Sequence, residues 1–365
     1  MIDRTRNLER SAETSPSHRN EEAKDIKIEN CLGFTRGPSG LADPLTVHEK
    51  CERSVYSALA TGEPTIVASC SRGCKEALSE GLSRTPVFTF RTVDDALRFY
   101  CHVPTLQSSF KASAEKISRY ARLVEIIPHV LGRTVQVRFH YTCGAPAGQN
   151  MVTISTHRAC QDFLTSTASK GLGITNFQIE GRFSSDKKLS WGNFKDPRRV
   201  EVIAWGSLSD SVCRAILGCN TTRLRSVISK FEDGGTRNGQ RRQDIGTVNV
   251  MSTMFISCCQ DPVSVVESGW IHLTADLDEE AEVLNLSLYN PSLSVGMVDG
   301  RTDYPSQGGS FELIGCYGAG KKWALAETIT SFALALDANI VSADTKENFG
   351  ACPQNLVRGQ RQSKM

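Results

Sequence analysis

Apolar positions recur along the chain with two different periods, and the switches between them predict an interleaved α+β protein. Between residues 85 and 183 the pattern predicts a strand (TPVFTF), a helix (VDDALRFYC), a second helix (SAEKISRYARLVEIIPHV) and a strand (TVQVRFHYT). A third helix (NMVTISTHRACQDFLTSTASK) and a final strand (ITNFQIEGRF) follow. That order suits a small unit of the split βαβ kind. Farther on, SDSVCRAILGCNTTRLRSVISK and GTVNVMSTMFISCC have helical spacing, GWIHLTADL and EVLNLSLY alternate as strands, and WALAETITSFALAL reads as an apolar helix. Upstream, residues 28–45 (IENCLGFTRGPSGLADPL) have the glycines and prolines of an ordered loop feeding a strand, and Ile66-Val67-Ala68 reads as a buried strand. The stretch FEDGGTRNGQRRQD looks like a charged break, and no internal repeat is visible.

Composition narrows the class only a little. At 365 residues the chain has room for one large domain and a smaller one. A hydrophobic share of 39% with 22% charged residues is ordinary for a soluble protein, and a formal net charge of +2 implies no nucleic acid partner. The thirteen cysteines are scattered, match no paired zinc pattern and imply a reducing compartment and no metal. Residues 1–27 are polar and charged, so a flexible tail without a membrane anchor is expected there.

Six segments in one order then carry a resemblance. IENCLGFTRGPSGLADPL is similar to an ENVIG segment with downstream glycines, and EPTIVASCSRGCKEAL to E-G-x-L-V-A-S-x-x-R-G-C. SRYARL resembles S-R-F-A-R-L, LGRTVQVRF resembles A-G-R-x-L-Y-I-R-F, SSDKK resembles T-D-K-K, and CCQDP resembles C-G-Q-D-P. The pattern is that of the catalytic domain of 3-hydroxy-3-methylglutaryl-CoA (HMG-CoA) reductase, over roughly residues 28–345. The resemblance implies an α+β fold: an HMG-CoA-reductase-like large domain with an inserted ferredoxin-like small domain. It also implies a homodimer with active sites between subunits. The expected division is a tail (1–27), the large domain in two parts (28–89 and 184–347, the second including a connecting loop), the insert (90–183) and a C-terminal tail (348–365).

Residue by residue, the family's catalytic cluster falls on Glu63, Lys187 and Asp261. A cation beside the reacting oxygen offsets developing charge, while clustered carboxylates push one pKa up so that it can act as an acid. Asp261 follows the helix-like GTVNVMSTMFISCC, whose negative end would disfavour its ionisation. The resemblance implies substrate contacts at Ser69, Asp186, Lys188 and Asn249. The residues alone admit plainer readings: a solvated turn at Asp186-Lys187-Lys188, a helix stop at Asp261-Pro262 and an exposed strand entry at Glu63.

Other family positions have changed. The dinucleotide motif D-A-M-G-M-N-M reads APAGQNM (145–151), keeping Gly148, Asn150 and Met151, with Ser118 and Arg119 nearby in the pattern. The second motif, G-T-V-G-G-G-T, reads GMVDGRT (296–302): Gly300 remains, while Asp299 and Arg301 replace glycines that let a pyrophosphate approach the backbone. A substrate arginine falls on Thr89, and a late histidine aligns near Asp344. These changes lead to the expectation of a repurposed scaffold with no cofactor. It would catalyse a non-redox cyclisation, isomerisation or elimination on a terpenoid or polyketide intermediate of specialised metabolism. The alternatives are an NADPH-dependent reductase of HMG-CoA or another thioester, and a non-catalytic partner of a reductase acting through the surface around Glu29-Asn30-Cys31. The end, Ser363-Lys364-Met365, is one substitution from the peroxisomal S-K-L signal, so a cytoplasmic or peroxisomal location is expected, with a chance ending as the other reading.

Overall fold

A computed structural model of the protein describes residues 39–48, 52–60, 72–240, 244–298 and 305–345. Eleven strands among them form two sheets. The first has the order β10-β11-β9-β3-β1-β2, built from β1 (Ser39–His48), β2 (Glu52–Ala60), β3 (Arg72–Glu80), β9 (Val200–Ser209), β10 (His272–Asp278) and β11 (Val283–Leu293). All its neighbours are antiparallel except β1 and β3. Four longer helices accompany it: α4 (Thr221–Arg237), α5 (Thr247–Ser257), α6 (Pro305–Ile314) and α7 (Lys322–Thr345). By length and composition α7 could cross a bilayer, but 78% of its apolar window is buried inside the protein, where it packs on β3, β9, β11 and α5. It is the central helix of the larger core, with Leu325, Ile329, Phe332 and Val341 fully enclosed.

The second sheet holds β4 (Leu82–Arg84), β5 (Val87–Phe90), β6 (Arg122–Leu131), β7 (Thr134–Thr142) and β8 (Ile174–Gln178), with helices α1 (Val93–His102), α2 (Gln107–Ala114) and α3 (Gln149–Thr165). Strand β7 pairs with β6 on one side and with β4 and β5 on the other, and β5 pairs with β8, all antiparallel. Read from β8 through β5 and β7 to β6, this is the split βαβ arrangement of a ferredoxin-like unit. Alternation along β7 buries Val135, Val137, Phe139 and Tyr141 on one face. There they meet Phe88, Phe90, Phe99, Phe110 and Phe163 in an aromatic core with centroid separations of 5.0–6.1 Å among the phenylalanines. Gly81 joins β3 to β4. A Cβ there would lie 2.2 Å from the ring of His140, so the glycine leaves room for that ring beside the crossing between the sheets.

Two expectations fail. The helix expected over SAEKISRYARLVEIIPHV ends within its first two residues, and its second half, from Arg122, is strand β6. A register shift between Leu123 and Glu125 places an irregularity there, so the buried residues Leu123 and Ile126 fall three apart, as they would on a helix. Pro128 fits because β6 pairs with β7 alone, as an edge strand. The charged break is also shorter than expected. Helix α4, capped by the Asn220 side chain on the Arg223 N–H, continues through Gly234 and Gly235 to Arg237.

Candidate active site

Lys187 and Asp261, 74 positions apart, form an ion pair with Nζ 2.6 Å from Oδ2. Each side chain is roughly two-fifths exposed, 37% and 43%, so the pair faces solvent. Asp261 lies past the end of α5, yet it is not the acid that the helix terminus suggests. Partial burial raises its carboxyl, but the Lys187 ammonium, the Ser264 hydroxyl and the Val263 N–H outweigh this and hold it below the usual carboxylate range. Asp261 in fact caps the turn Pro262–Ser264, where the local N–H groups favour the anion. The pair is an ammonium and a carboxylate, not a proton-storing acid.

The backbone of the Lys187 loop is unusual. Arg182, Ser185 and Lys187 all have positive φ (67°, 54° and 54°), which disfavours residues with a Cβ. At Lys187 the loop backbone is held by a buried charge network. Glu267, 2% exposed, accepts from the Lys187 backbone N–H (3.1 Å), from Arg198 (2.8 Å) and from Arg199 (3.2 Å). Asp186 turns inward to the same arginines at 3.4 and 3.2 Å, with Arg84 at 3.8 Å, and Arg84 also pairs with Glu180. Asp186, expected to bind substrate, is thus placed as a counter-ion beneath the loop. Lys188 is exposed, and Asn249 is exposed in the first turn of α5. That turn is about 12 Å from the helix end that leads to Asp261.

A second chain of contacts links this pair to the remnant dinucleotide motifs. Gln260, next to Asp261, donates to the Gly296 carbonyl (3.0 Å) and accepts from its N–H (2.8 Å). The neighbouring Met297 N–H donates to the Ala145 carbonyl (2.9 Å). Gly296 is needed here, since a Cβ would lie 2.4 Å from the Ala147 nitrogen. The turn closes at Gly148, left-handed at φ 83°, which opens α3 without a side-chain cap. Asn150 is exposed in the first turn of α3, Met151 receives the Ser118 hydroxyl at 2.8 Å, and the Arg119 guanidinium stacks 4.9 Å over Tyr120. A left-handed glycine opening an uncapped helix, with a second glycine packed against the turn, suits a pyrophosphate-bearing cofactor. Among the described residues no cluster could hold a metal. Glu63, Ser69, Gly300, Arg301, the Glu29-Asn30-Cys31 segment and the Ser363-Lys364-Met365 end lie outside the described residues.

Sequence reasoning missed Glu267, Arg198, Arg199 and Gln260. Glu267 meets Arg199, Arg198 and the Lys187 N–H across 68, 69 and 80 positions, which no local pattern reveals. Gln260 stood inside the CCQDP motif and carried the available signal.

The sequence profile of the hydroxymethylglutaryl-coenzyme A reductase family matches residues 2–354. The 3-hydroxy-3-methylglutaryl-coenzyme A reductase of Methanocaldococcus jannaschii is 26% identical over 352 residues, covering 93% of this chain and 86% of that protein. The enzyme of the same name from Aeropyrum pernix is 29% identical over 349 residues, covering 91% and 82%. Among solved structures, the Streptococcus pneumoniae reductase superposes with a TM-score of 0.65 at 15% identity, covering 94% of this chain and 96% of that one, and a second structure of it, equally similar, is described as bound to NADPH. These likenesses overturn two expectations from the sequence. The non-redox cyclase or isomerase reading fails because the relatives along nearly the whole chain are named as reductases. The reading without a cofactor is overturned with it, because the relatives are named as reductases and a structure of one is described as bound to NADPH; of the two motifs it rested on, Gly148 and Gly296 keep their close approaches, while Asp299, Gly300 and Arg301 lie outside the described residues. With the profile spanning nearly its whole length, the chain belongs to the hydroxymethylglutaryl-coenzyme A reductase family of enzymes.

Proposed function

We propose that the protein is an NADPH-dependent reductase of HMG-CoA or a closely related acyl-CoA thioester. One observation carries this reading: Gln260 ties the Lys187–Asp261 pair to the turn that opens α3, so a charge-stabilising lysine and a dinucleotide cradle belong to one connected unit. The α3 opening at Gly148, with Asn150 and Arg119, would hold the cofactor, which supplies hydride when bound. With hydride supplied to the thioester carbonyl carbon, the carbonyl oxygen would carry the displaced electron pair, and Lys187 would stabilise that oxyanion while Asp261 keeps the lysine oriented. Re-formation of the carbonyl would then break the C–S bond, leaving an aldehyde and the CoA thiolate, which takes a proton to leave as the thiol. Glu63 is the expected proton source, by its place in the family motif.

A homodimer fits the same reading. Phe183, Leu189, Trp191, Ile256, Val263 and Val266 are 47–59% exposed on the segments that carry Lys187 and Asp261, and a second copy would cover them. The test is spectrophotometric: purified protein given NADPH and HMG-CoA should consume the reduced nicotinamide and release free thiol. No NADPH binding by calorimetry, together with no turnover on any acyl-CoA, would overturn the reading.

A further inference from the structure

Lys322, the first residue of α7, is 8% exposed, and its ammonium is fully occupied. It donates to the Gly144 carbonyl at 3.0 Å and the Pro146 carbonyl at 3.3 Å, and it pairs with Glu80 Oε2 at 3.1 Å. Glu80, at the end of β3, completes the clamp: Oε1 accepts the Gly144 N–H at 3.0 Å and Oε2 accepts the Trp323 indole N–H at 3.3 Å. Burial raises the Glu80 carboxyl, but Lys322, through its charge and its hydrogen bond, outweighs it and brings it below its ordinary value, so the pair is ionic. A cavity of about 10 Å³, room for about one water, separates this clamp from Arg199.

The clamped turn cannot shape itself. Its residues Ala145, Pro146 and Ala147 have no polar side-chain atom, and Pro146 also lacks an N–H. Its carbonyls therefore need donors from elsewhere, and the donors come from α7, 176–178 positions away, and from Met297. The next residues are Gly148 and the uncapped start of α3. Whatever fixes the 144–146 carbonyls fixes where that helix start points.

We propose that Lys322, with Glu80 as its counter-ion, is a positioning residue for the dinucleotide: it sets the α3 opening and hence cofactor affinity, without touching the thioester. The inference rests on the reductase reading. In Lys322→Met the two carbonyls lose their donor, and Glu80 keeps a negative charge close to where phosphates would bind. Loss of charge-assisted hydrogen bonds of this kind corresponds to about tenfold to hundredfold in affinity.

The experiment compares the full-length protein with Lys322→Met, Lys322→Arg and the double variant Glu80→Gln/Lys322→Met. It measures NADPH dissociation constants by nicotinamide fluorescence alongside steady-state kinetics. Lys322→Met should raise the NADPH Kd and KM by about tenfold or more, while the HMG-CoA KM and kcat at saturating NADPH stay within about twofold. Lys322→Arg, which keeps the charge, should fall between Lys322→Met and the native protein. The double variant leaves no unpaired charge, so it covers the case in which Lys322→Met does not fold, and it should show the same selective loss. A native NADPH Kd in Lys322→Met or in the double variant overturns the inference, as does a loss shared equally by kcat and the HMG-CoA KM. If the native protein neither binds NADPH nor turns over any acyl-CoA, the reductase reading falls first and this inference with it. If the native protein binds and turns over but the variants match it, only this inference falls.

Discussion

Helix α5 has an aspartate at each end, and the two are tuned in opposite directions. At its start Asp337, reaching over from α7, accepts the backbone N–H groups of Ile245 (3.2 Å) and Gly246 (2.7 Å) and the Thr247 hydroxyl (3.1 Å). Complete burial, with Asp244 nearby, pushes its carboxyl up to about 7 despite those donors. Beyond the other end, Asp261 is half exposed beside Lys187 and lies below its ordinary value. The helix dipole favours an anion at the start and opposes one at the end, so it argues for the reverse of both outcomes. Its effect, about 0.3–1 kcal/mol, is smaller than the burial of a charge or the presence of a neighbouring ammonium. The buried aspartate fastens the helix in place. The exposed one holds the Lys187 side chain at the surface.

The sharpest way to break this contrast is to remove the network behind Lys187. Glu267→Leu would leave Arg198 and Arg199 buried with only Asp186 as a carboxylate partner, and should cost about 3–5 kcal/mol of unfolding free energy in urea titrations. A loss below about 1 kcal/mol would mean that the arginines find other acceptors. Next comes Lys187→Ala. Nicotinamide consumption should fall by about a hundredfold or more, while the melting temperature barely moves, because the ion pair is exposed. Unchanged turnover would move the chemistry away from this lysine.

The two aspartates also show what the sequence could reveal. Lys187 and Asp261 were legible because each lies in a short motif of its own, SSDKK and CCQDP, and the structure brings the two together. The charge states were not legible, since they depend on groups such as Lys187, Asp244 and Ser264 that meet only in the fold. The α+β alternation was legible in β7, where period two is unbroken, and illegible in β6, where one irregularity turned strand spacing into helix spacing. Helix α4 ran past its expected end because packing of Leu224, Val227 and Ile228 earlier in the helix overrides the low propensity of Gly234 and Gly235. The Glu267 network was beyond reach, since nothing local distinguishes a buried glutamate from an exposed one.

A further effect sharpens the contrast through pH. The carboxyl of Asp337 is raised, so the folded state holds this proton more tightly than the unfolded chain does. The resulting stability is fully present below the ordinary aspartate value, near 4, and is lost as pH rises to about 7. Across that window the unfolding free energy should decline by an amount on the order of 4 kcal/mol attributable to this group, and Asp337→Asn should remove that slope. Other carboxylates pull the other way, so the informative quantity is the difference between the native and variant curves. The named groups facing Asp337 are Asp244 and the donors at residues 245–247, so Asp244→Asn should shrink the slope in part. Parallel curves for the native protein and Asp337→Asn would show that Asp337 does not titrate here.

The smallest effect on stability belongs to Asp261. Its carboxyl is lowered, so the sign reverses: its contribution is present above the ordinary aspartate value and is lost as pH falls through the lower folded value. Solvent reaches both partners of the ion pair, which brings its stabilisation into the range of exposed pairs, about 0–1 kcal/mol. Asp261→Asn should therefore leave the unfolding free energy at neutral pH within about 1 kcal/mol of native, with any difference confined to acid and reduced by salt. The side chain also caps the Val263 N–H, and asparagine caps comparably, so the turn at Pro262–Ser264 survives the change. Activity should respond far more than stability, since Lys187 would lose the carboxylate that orients it. A variant that melts several degrees lower with turnover intact would assign Asp261 to the fold rather than to the chemistry, and the two ends of α5 would then be alike.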